Sequence, residues 1–140
     1  MSLIEKSLKI ALKAHTGQVD KANQPYILHP IRVMNEMNNE IEMSAAILHD
    51  VVEDSSLSFE QLQEKGISKE VVEILRHLTK SRKESYDEFI ERVMKNKVAV
   101  KVKIEDIKDN MDINRLPNVS EVDLNRLQKY HRALKRLMCS

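Results

Sequence analysis

The run Ala45-Ala46-Ile47-Leu48-His49-Asp50-Val51-Val52-Glu53-Asp54 sets four proton- or metal-binding side chains inside a segment that otherwise reads as buried core. Burying a His-Asp step and a Glu-Asp step in apolar surroundings is costly unless the groups are paired or hold a metal. On a continuous helix His49 and Glu53 fall at i and i+4, as do Asp50 and Asp54, so the four form a two-by-two patch on one wall. An exposed acidic helix end is the bland alternative, and the preceding apolar residues leave no polar face for it. Two other places offer suitable donors: His29 at the mouth of a helix opened by His29-Pro30, and Asp106 in Val102-Lys103-Ile104-Glu105-Asp106. A divalent cation needs three or four such donors converging from separate elements. Two histidines and two aspartates (His29, His49, Asp50, Asp106) leave positions for water or substrate in a six-coordinate ion. That favours Mn²⁺, Fe²⁺ or another octahedral metal over a closed structural Zn²⁺ site.

The elements that must position these groups are helical. Leu3, Ile4, Leu8, Ala11 and Leu12 recur at helical spacing until Gly17 stops the first helix. Residues 18–28 form a loop punctuated by Asn23 and Pro25, and Pro30 suits a first helical position, where its missing N–H is no loss. Ile31, Val33, Met34 and Met37 carry the second helix, and a third runs over 41–54. Ser58 with Gln61 predicts a capping box for a short helix that Gly66 ends. Ser68 begins another, through Leu78; a charged turn over 80–84 then leads to a helix over 85–96. Residues 98–113 read as one long helix broken by Leu116-Pro117, and Ser120 with Asp123 caps a last amphipathic helix through Leu137. The expectation is an all-α single domain, residues 1–140, of six to eight helices.

Composition agrees and excludes several functions. The chain has 140 residues, only two glycines and three prolines, and a charged fraction of 32% rich in Lys and Glu. A chain of this length buries about two thirds of its unfolded surface, enough for a real core. Lys plus Arg (23) nearly cancels Asp plus Glu (22), so no global basic field invites nucleic acid. Cys139 is the only cysteine and can close no internal disulfide, which fits a reducing compartment. No stretch approaches a membrane span, and the lysine-interleaved N-terminus has no signal-peptide core. A soluble cytoplasmic protein is the expectation.

Four ordered strings add a template. Ala14-His15-Thr16-Gly17-Gln18, Pro25-Tyr26-Ile27-Leu28-His29-Pro30, the run from Ala45 to Asp54, and Val102-Lys103-Ile104-Glu105-Asp106 with Asn110-Met111 cover residues 14–112. In these strings the chain resembles the HD superfamily of metal-dependent phosphohydrolases and, within it, the hydrolase domain of the RelA/SpoT family. The resemblance implies a compact helical HD domain in which His29, His49, Asp50 and Asp106 hold one metal ion, usually Mn²⁺. It implies Glu53 and Asp54 as the acidic pair that positions and activates water, and Asn110 as a residue lining the site. Lys21 and Tyr26 match positions of the nucleotide-binding loop. The implied reaction removes the 3′-pyrophosphate from (p)ppGpp. A phosphoryl centre attacked by water does need a Lewis acid and a nearby carboxylate. Lys103 or Lys21 can neutralise phosphate charge, although a solvated lysine is the simpler reading of each.

The match departs at the loop. Asp20 and Ala22 stand where the alarmone hydrolases carry an arginine and a serine, and an acid gives no cation–π stacking on a base and repels phosphate. Asp109 stands where that family often has His or Tyr. The strings resemble those of small stand-alone HD proteins, and no synthetase region is matched, so alarmone synthesis is not expected. His15 reads as a helix-end packing residue, and His77 and His131 as surface or boundary residues. Tyr86, Phe89 and Ile90 read as core. On the last helix Leu124, Leu127, Leu134 and Leu137 would pack on the domain, or on a second copy in a homo-oligomer. Two rivals stand beside an alarmone hydrolase: a nucleotide phosphatase or pyrophosphohydrolase of other base preference, and a non-catalytic nucleotide-sensing module. A pure binder has no need of the Glu53–Asp54 pair.

Overall fold

The computed structural model describes residues 1–139, which hold nine α-helices, one 3-10 turn and no strand. In order these are α1 (Leu3–Ala14), α2 (Leu28–Asn35), α3 (Glu40–Leu48), α4 (Val51–Asp54), α5 (Phe59–Glu64), α6 (Lys69–Leu78), α7 (Tyr86–Val93), α8 (Lys97–Asn110), the 3-10 turn (Ile113–Arg115) and α9 (Glu121–Met138). Local chemistry sets most of the boundaries. Capping boxes form at Ser2/Glu5, Ser58/Gln61, Ser85/Glu88 and Ser120/Asp123, while Asn39, Ser68 and Asn96 cap with the side chain alone. Each cap satisfies an otherwise unpaired amide and stabilises by about 1 kcal/mol. Gly66 follows α5 at φ +96°, a left-handed conformation that favours glycine. No helix among the described residues is long and apolar enough to cross a membrane.

The core is organised around α3. Ala45, Ala46, Ile47 and Leu48 are all fully buried, so the C-terminal half of that helix is enclosed on every side. It lies between α1, α2, α6 and α8, whose Ile10, Val33, Leu75 and Ile107 are buried in the same cluster. The parts of α2, α3 and α8 that carry His29, His49 and Asp106 are therefore held by close packing around the most central helix.

Four expectations are corrected. The helix anticipated over 41–54 is two helices, with His49-Asp50 as the step between them. The His49 ring Nδ1–H donates to the Ala46 carbonyl at 2.6 Å, occupying the acceptor that a continuous helix would offer to the Asp50 amide. Pro30 is the third residue of α2, still in the first turn where its missing N–H has no helical role. The helix anticipated over 98–113 ends at Asn110, because the Asp112 side chain caps the 3-10 turn through the Asn114 amide. Leu12 and Leu124 are 52% and 51% exposed rather than packed. The buried stripe of α1 runs through Ser7, Ile10 and Ala11, and α9 buries only Ala133 and Leu137 near its far end.

Candidate metal centre

Three helix ends converge on one point. α2 supplies His29, the α3–α4 step supplies His49 and Asp50, and α8 supplies Asp106. One donor atom from each lies within 4.8 Å of the others, and His29, His49 and Asp106 are buried. His29 Nε2 stands 2.8 Å from Asp106 Oδ1, and His49 Nε2 stands 3.2 Å from the same oxygen. His49 Nε2 is also 3.1 Å from Asp50 Oδ2. The sequence expectation and the geometry thus name the same four residues.

The donor set fits a divalent cation on its own chemistry. The Nδ1 position of each imidazole is engaged elsewhere: His49 on the Ala46 carbonyl and His29 on Asp109 Oδ2, both at 2.6 Å. A neutral ring protonated at Nδ1 presents an Nε2 lone pair, and here both lone pairs meet carboxylate oxygens. Lone pair against lone pair demands positive charge between them, from protons or from a metal. The electrostatics say the same. Burial alone would lower the His49 pKa, but Asp50 and Asp106 outweigh it and push it well above the ordinary value. Burial would raise Asp106, yet the Lys103 ammonium and the two imidazoles hold it well below the carboxylate range. Asp50, opposed by burial but favoured by His49, is lowered to about 2. Anionic carboxylates beside imidazoles competing for a central cation are what a hard-to-borderline metal site requires.

Further side chains grip these four residues. Tyr26 donates its hydroxyl to Asp50 Oδ2, Asn110 Nδ2 donates to Asp106 Oδ1 at 3.2 Å, and Lys103 Nζ donates to Asp106 Oδ2 at 2.8 Å. So three of the four residues anticipated at the substrate, Tyr26, Lys103 and Asn110, contact the carboxylates of Asp50 and Asp106. Lys103, with its ammonium also 5.1 Å from the Phe89 ring centroid, is committed to Asp106. Lys21 is exposed at the rim of the adjoining cavity.

Glu53 and Asp54 lie on α4 beside the cluster, both reached by solvent. The break at His49-Asp50 replaces the continuous two-by-two patch, and each acid has its own anchor. Glu53 Oε1 accepts the Lys80 backbone N–H at 2.7 Å. The loop that presents this amide is pinned by Arg92, which pairs with Glu84 and donates to the Thr79 carbonyl at 2.7 Å. Surrounding protein and the nearby Asp50 raise the Glu53 pKa above the usual glutamate value, against the Lys80 amide and Lys103. Asp54 Oδ2 accepts from Gln18 Nε2 at 3.1 Å, and Gln18 Oε1 is 2.8 Å from Nδ1 of buried His15, whose ring packs on Tyr26. His15 is a packing residue, as its position in the sequence suggested.

A cavity of about 430 Å³ opens beside His29. Its walls come from the loop before α2 (Gln18, Tyr26), from α2 (Arg32), and from the far side (Arg115, Arg126, Tyr130). Asp20 lines it too, but as a turn former: its Oδ1 accepts the amides of Ala22 and Gln24, both at 2.9 Å. That turn closes the loop into a hairpin-like excursion with one bridge, Val19 to Pro25. Sequence reasoning missed Gln18, Arg32, Arg126 and Tyr130 as site residues and gave Asp109 no role. Of these, Gln18 carried a signal as the last residue of the first family-like string, whereas the partners of Asp109 lie 77 and 80 residues away.

The profile of the HD domain family matches residues 7–111. A guanosine-3′,5′-bis(diphosphate) 3′-pyrophosphohydrolase of Vibrio cholerae is 40% identical over 63 residues, 42% of this chain and 9% of that protein. The bifunctional (p)ppGpp synthase/hydrolase SpoT of Escherichia coli is 33% identical over 81 residues, 55% of this chain and 11% of that one. The chain spans about a tenth of the length of these relatives. A solved metazoan ortholog of SpoT, described as hydrolysing ppGpp, superposes with a TM-score of 0.79 at 22% identity. That match covers 98% of this chain and 85% of the other, a likeness of fold.

Proposed function

The chain belongs to the HD domain family, and from that premise we propose that it is a metal-dependent phosphohydrolase acting on a phosphorylated nucleotide. The specific candidate is (p)ppGpp, attacked at its 3′-pyrophosphate. Water adds to phosphorus, the bond to the ribose 3′-oxygen breaks, and that oxygen takes a proton, giving GDP or GTP and pyrophosphate. The observation that carries this reading is the convergence of His29, His49, Asp50 and Asp106 within 4.8 Å beside an open cavity.

Those four residues would hold one divalent ion, Mn²⁺ in this reading. When bound it supplies Lewis-acid charge to phosphoryl oxygens and lowers the pKa of water. Glu53 accepts the proton of the attacking water, a task its raised pKa suits. Asp54, steadied by Gln18, orients that water. Tyr26 and Asn110 fix ligand carboxylates while lining the cavity, and Lys21 meets phosphate at the rim. Lys103 balances the charge of Asp106 instead of touching substrate. The reading places the protein in the cytoplasm, where nucleotide substrates are found.

Asp20 and Ala22 favour a second reading, the same reaction on a nucleotide of different base, because the loop spends its acid on its own turn. Incubation with Mn²⁺ and a panel of ppGpp, pppGpp, NADPH and ordinary nucleoside phosphates separates the two. Pyrophosphate from ppGpp is the expected result; faster release from another compound moves the substrate and keeps the site. Silence of the Mn²⁺-loaded protein across the panel would sink the hydrolase reading.

A further inference from the structure

The two imidazoles of the cluster are oriented by different means. His49 is fixed within its own helix, by a carbonyl three residues earlier. His29 has no such local partner: its Nδ1 reaches Asp109, 80 residues away on α8. We infer that Asp109, gripped by Arg32, is the positioning residue of this centre, setting the ring plane and tautomer of His29. The inference rests on reading the four residues as metal ligands and extends that reading one layer outward.

The contacts form a closed ring across two helices. Arg32 Nε donates to Asp109 Oδ1 at 2.7 Å and Arg32 Nη2 donates to Oδ2 at 3.0 Å, a two-point fork on the carboxylate that holds its plane. His29 and Arg32 lie one turn apart on α2, and Asp106 and Asp109 lie one turn apart on α8. Two side chains of each helix thus meet two of the other, one pair in the cluster and one pair behind it. Arg115 adds a third hold. Its Nη2 donates to the Asp109 backbone carbonyl at 2.8 Å and stands 3.5 Å from Oδ1. Asp109 is only 13% exposed at its side chain, and two guanidiniums offset its charge beside the cavity. Its carboxylate therefore has one task left, to accept the His29 Nδ1–H. A carboxylate behind a ligating histidine fixes the tautomer and makes the facing nitrogen a better donor.

The experiment compares wild type with Asp109→Ala, Asp109→Asn and Arg32→Gln. It reads Mn²⁺ affinity by electron paramagnetic resonance, the visible spectrum of the Co²⁺-loaded protein, and the His29 ring nitrogen shifts in the Zn²⁺-loaded protein. Asp109→Ala should bind Mn²⁺ about 10–100-fold more weakly, with altered Co²⁺ bands and a mixed His29 tautomer. Asp109→Asn keeps an oxygen acceptor and should recover most of the affinity, while Arg32→Gln should lose several-fold. Wild-type affinity and spectra in Asp109→Ala would overturn the inference. Equal loss in the alanine and asparagine variants with unshifted His29 nitrogens would overturn it too, since charge alone would then be at work. Should Asp109→Ala fail to fold, Arg32→Gln decides: an unchanged affinity and spectrum overturns the inference. Wild type that takes up none of the three metals would remove the underlying metal reading as well, an outcome distinct from those above.

Discussion

His29, His49 and Asp106 are each under 5% exposed, and their imidazole nitrogens and carboxylate oxygens all face named partners from three helices. Across the cavity, Arg115, Leu116, Asp123, Arg126, Leu127 and Tyr130 are only half-buried, and on the outer side of the same segment Val119, Val122 and Leu124 are 44%, 63% and 51% exposed. One side of the site is over-determined: moving any ligand breaks several charged contacts in a medium where each is strong. The other side is a loosely covered wall whose residues can change without disturbing the core. In the proposed function chemistry falls to the first region and substrate choice to the second, so substitutions in the two should differ in kind as well as in size.

The largest effect is expected at Asp106→Ala, which removes a shared ligand and leaves Lys103 without its counter-charge. Equilibrium dialysis should find no stoichiometric Mn²⁺, and turnover should fall more than ~1000-fold. Urea unfolding should show a loss of about 3–5 kcal/mol, the usual result of breaking a buried pair from one side. Retained metal in this variant would show that the cluster is not the binding site.

Glu53→Gln comes next and should split the two readouts. Turnover should drop roughly 100- to 10,000-fold while Mn²⁺ affinity stays within about twofold of wild type. Only the ionised form of Glu53 accepts a proton. Wild-type kcat/KM should therefore rise with pH through a pKa displaced above the ordinary glutamate value by the surrounding protein and Asp50. The residual activity of the variant should lack that limb. An unchanged acid limb in Glu53→Gln would reassign the base.

On the cavity wall the comparison predicts binding effects only. Arg126→Gln should raise KM by about tenfold, the order expected for one charged hydrogen bond to an anion, with Mn²⁺ affinity unaltered. A fall in metal affinity would show that the two regions are coupled through α9. Smallest of all is Leu124→Ala, which should change stability by no more than about 0.5 kcal/mol. Leu48→Ala, next to His49 at the buried end of α3, should cost about 2–5 kcal/mol. Similar losses at the two leucines would contradict the contrast between core and wall.

The same contrast explains what could be read from the sequence. The four clustered donors were legible because ionisable residues inside apolar runs are costly without partners, and because their strings fall in a known order. Caps at Ser58 and Ser120 were legible because a serine and its acceptor three residues on form a local unit. The break at His49-Asp50 was not, since it follows from a side-chain contact to Ala46 that competes with the helix. The turn-forming role of Asp20 was not legible, since its partners are backbone amides that no side-chain pattern displays. Asp109 needed Arg32 and His29, some 80 residues away, before its role had any expression. Lys103 read as a solvated lysine or a phosphate partner, because its ion pair with Asp106 at 2.8 Å depends on how α8 packs.

A crystal soaked in Mn²⁺, with data collected at the manganese absorption edge, tests the central claim most directly. The prediction is a single strong anomalous peak bonded to His29 Nε2, His49 Nε2 and the carboxylates of Asp50 and Asp106. A peak elsewhere, or an empty cluster at saturating Mn²⁺, would contradict it.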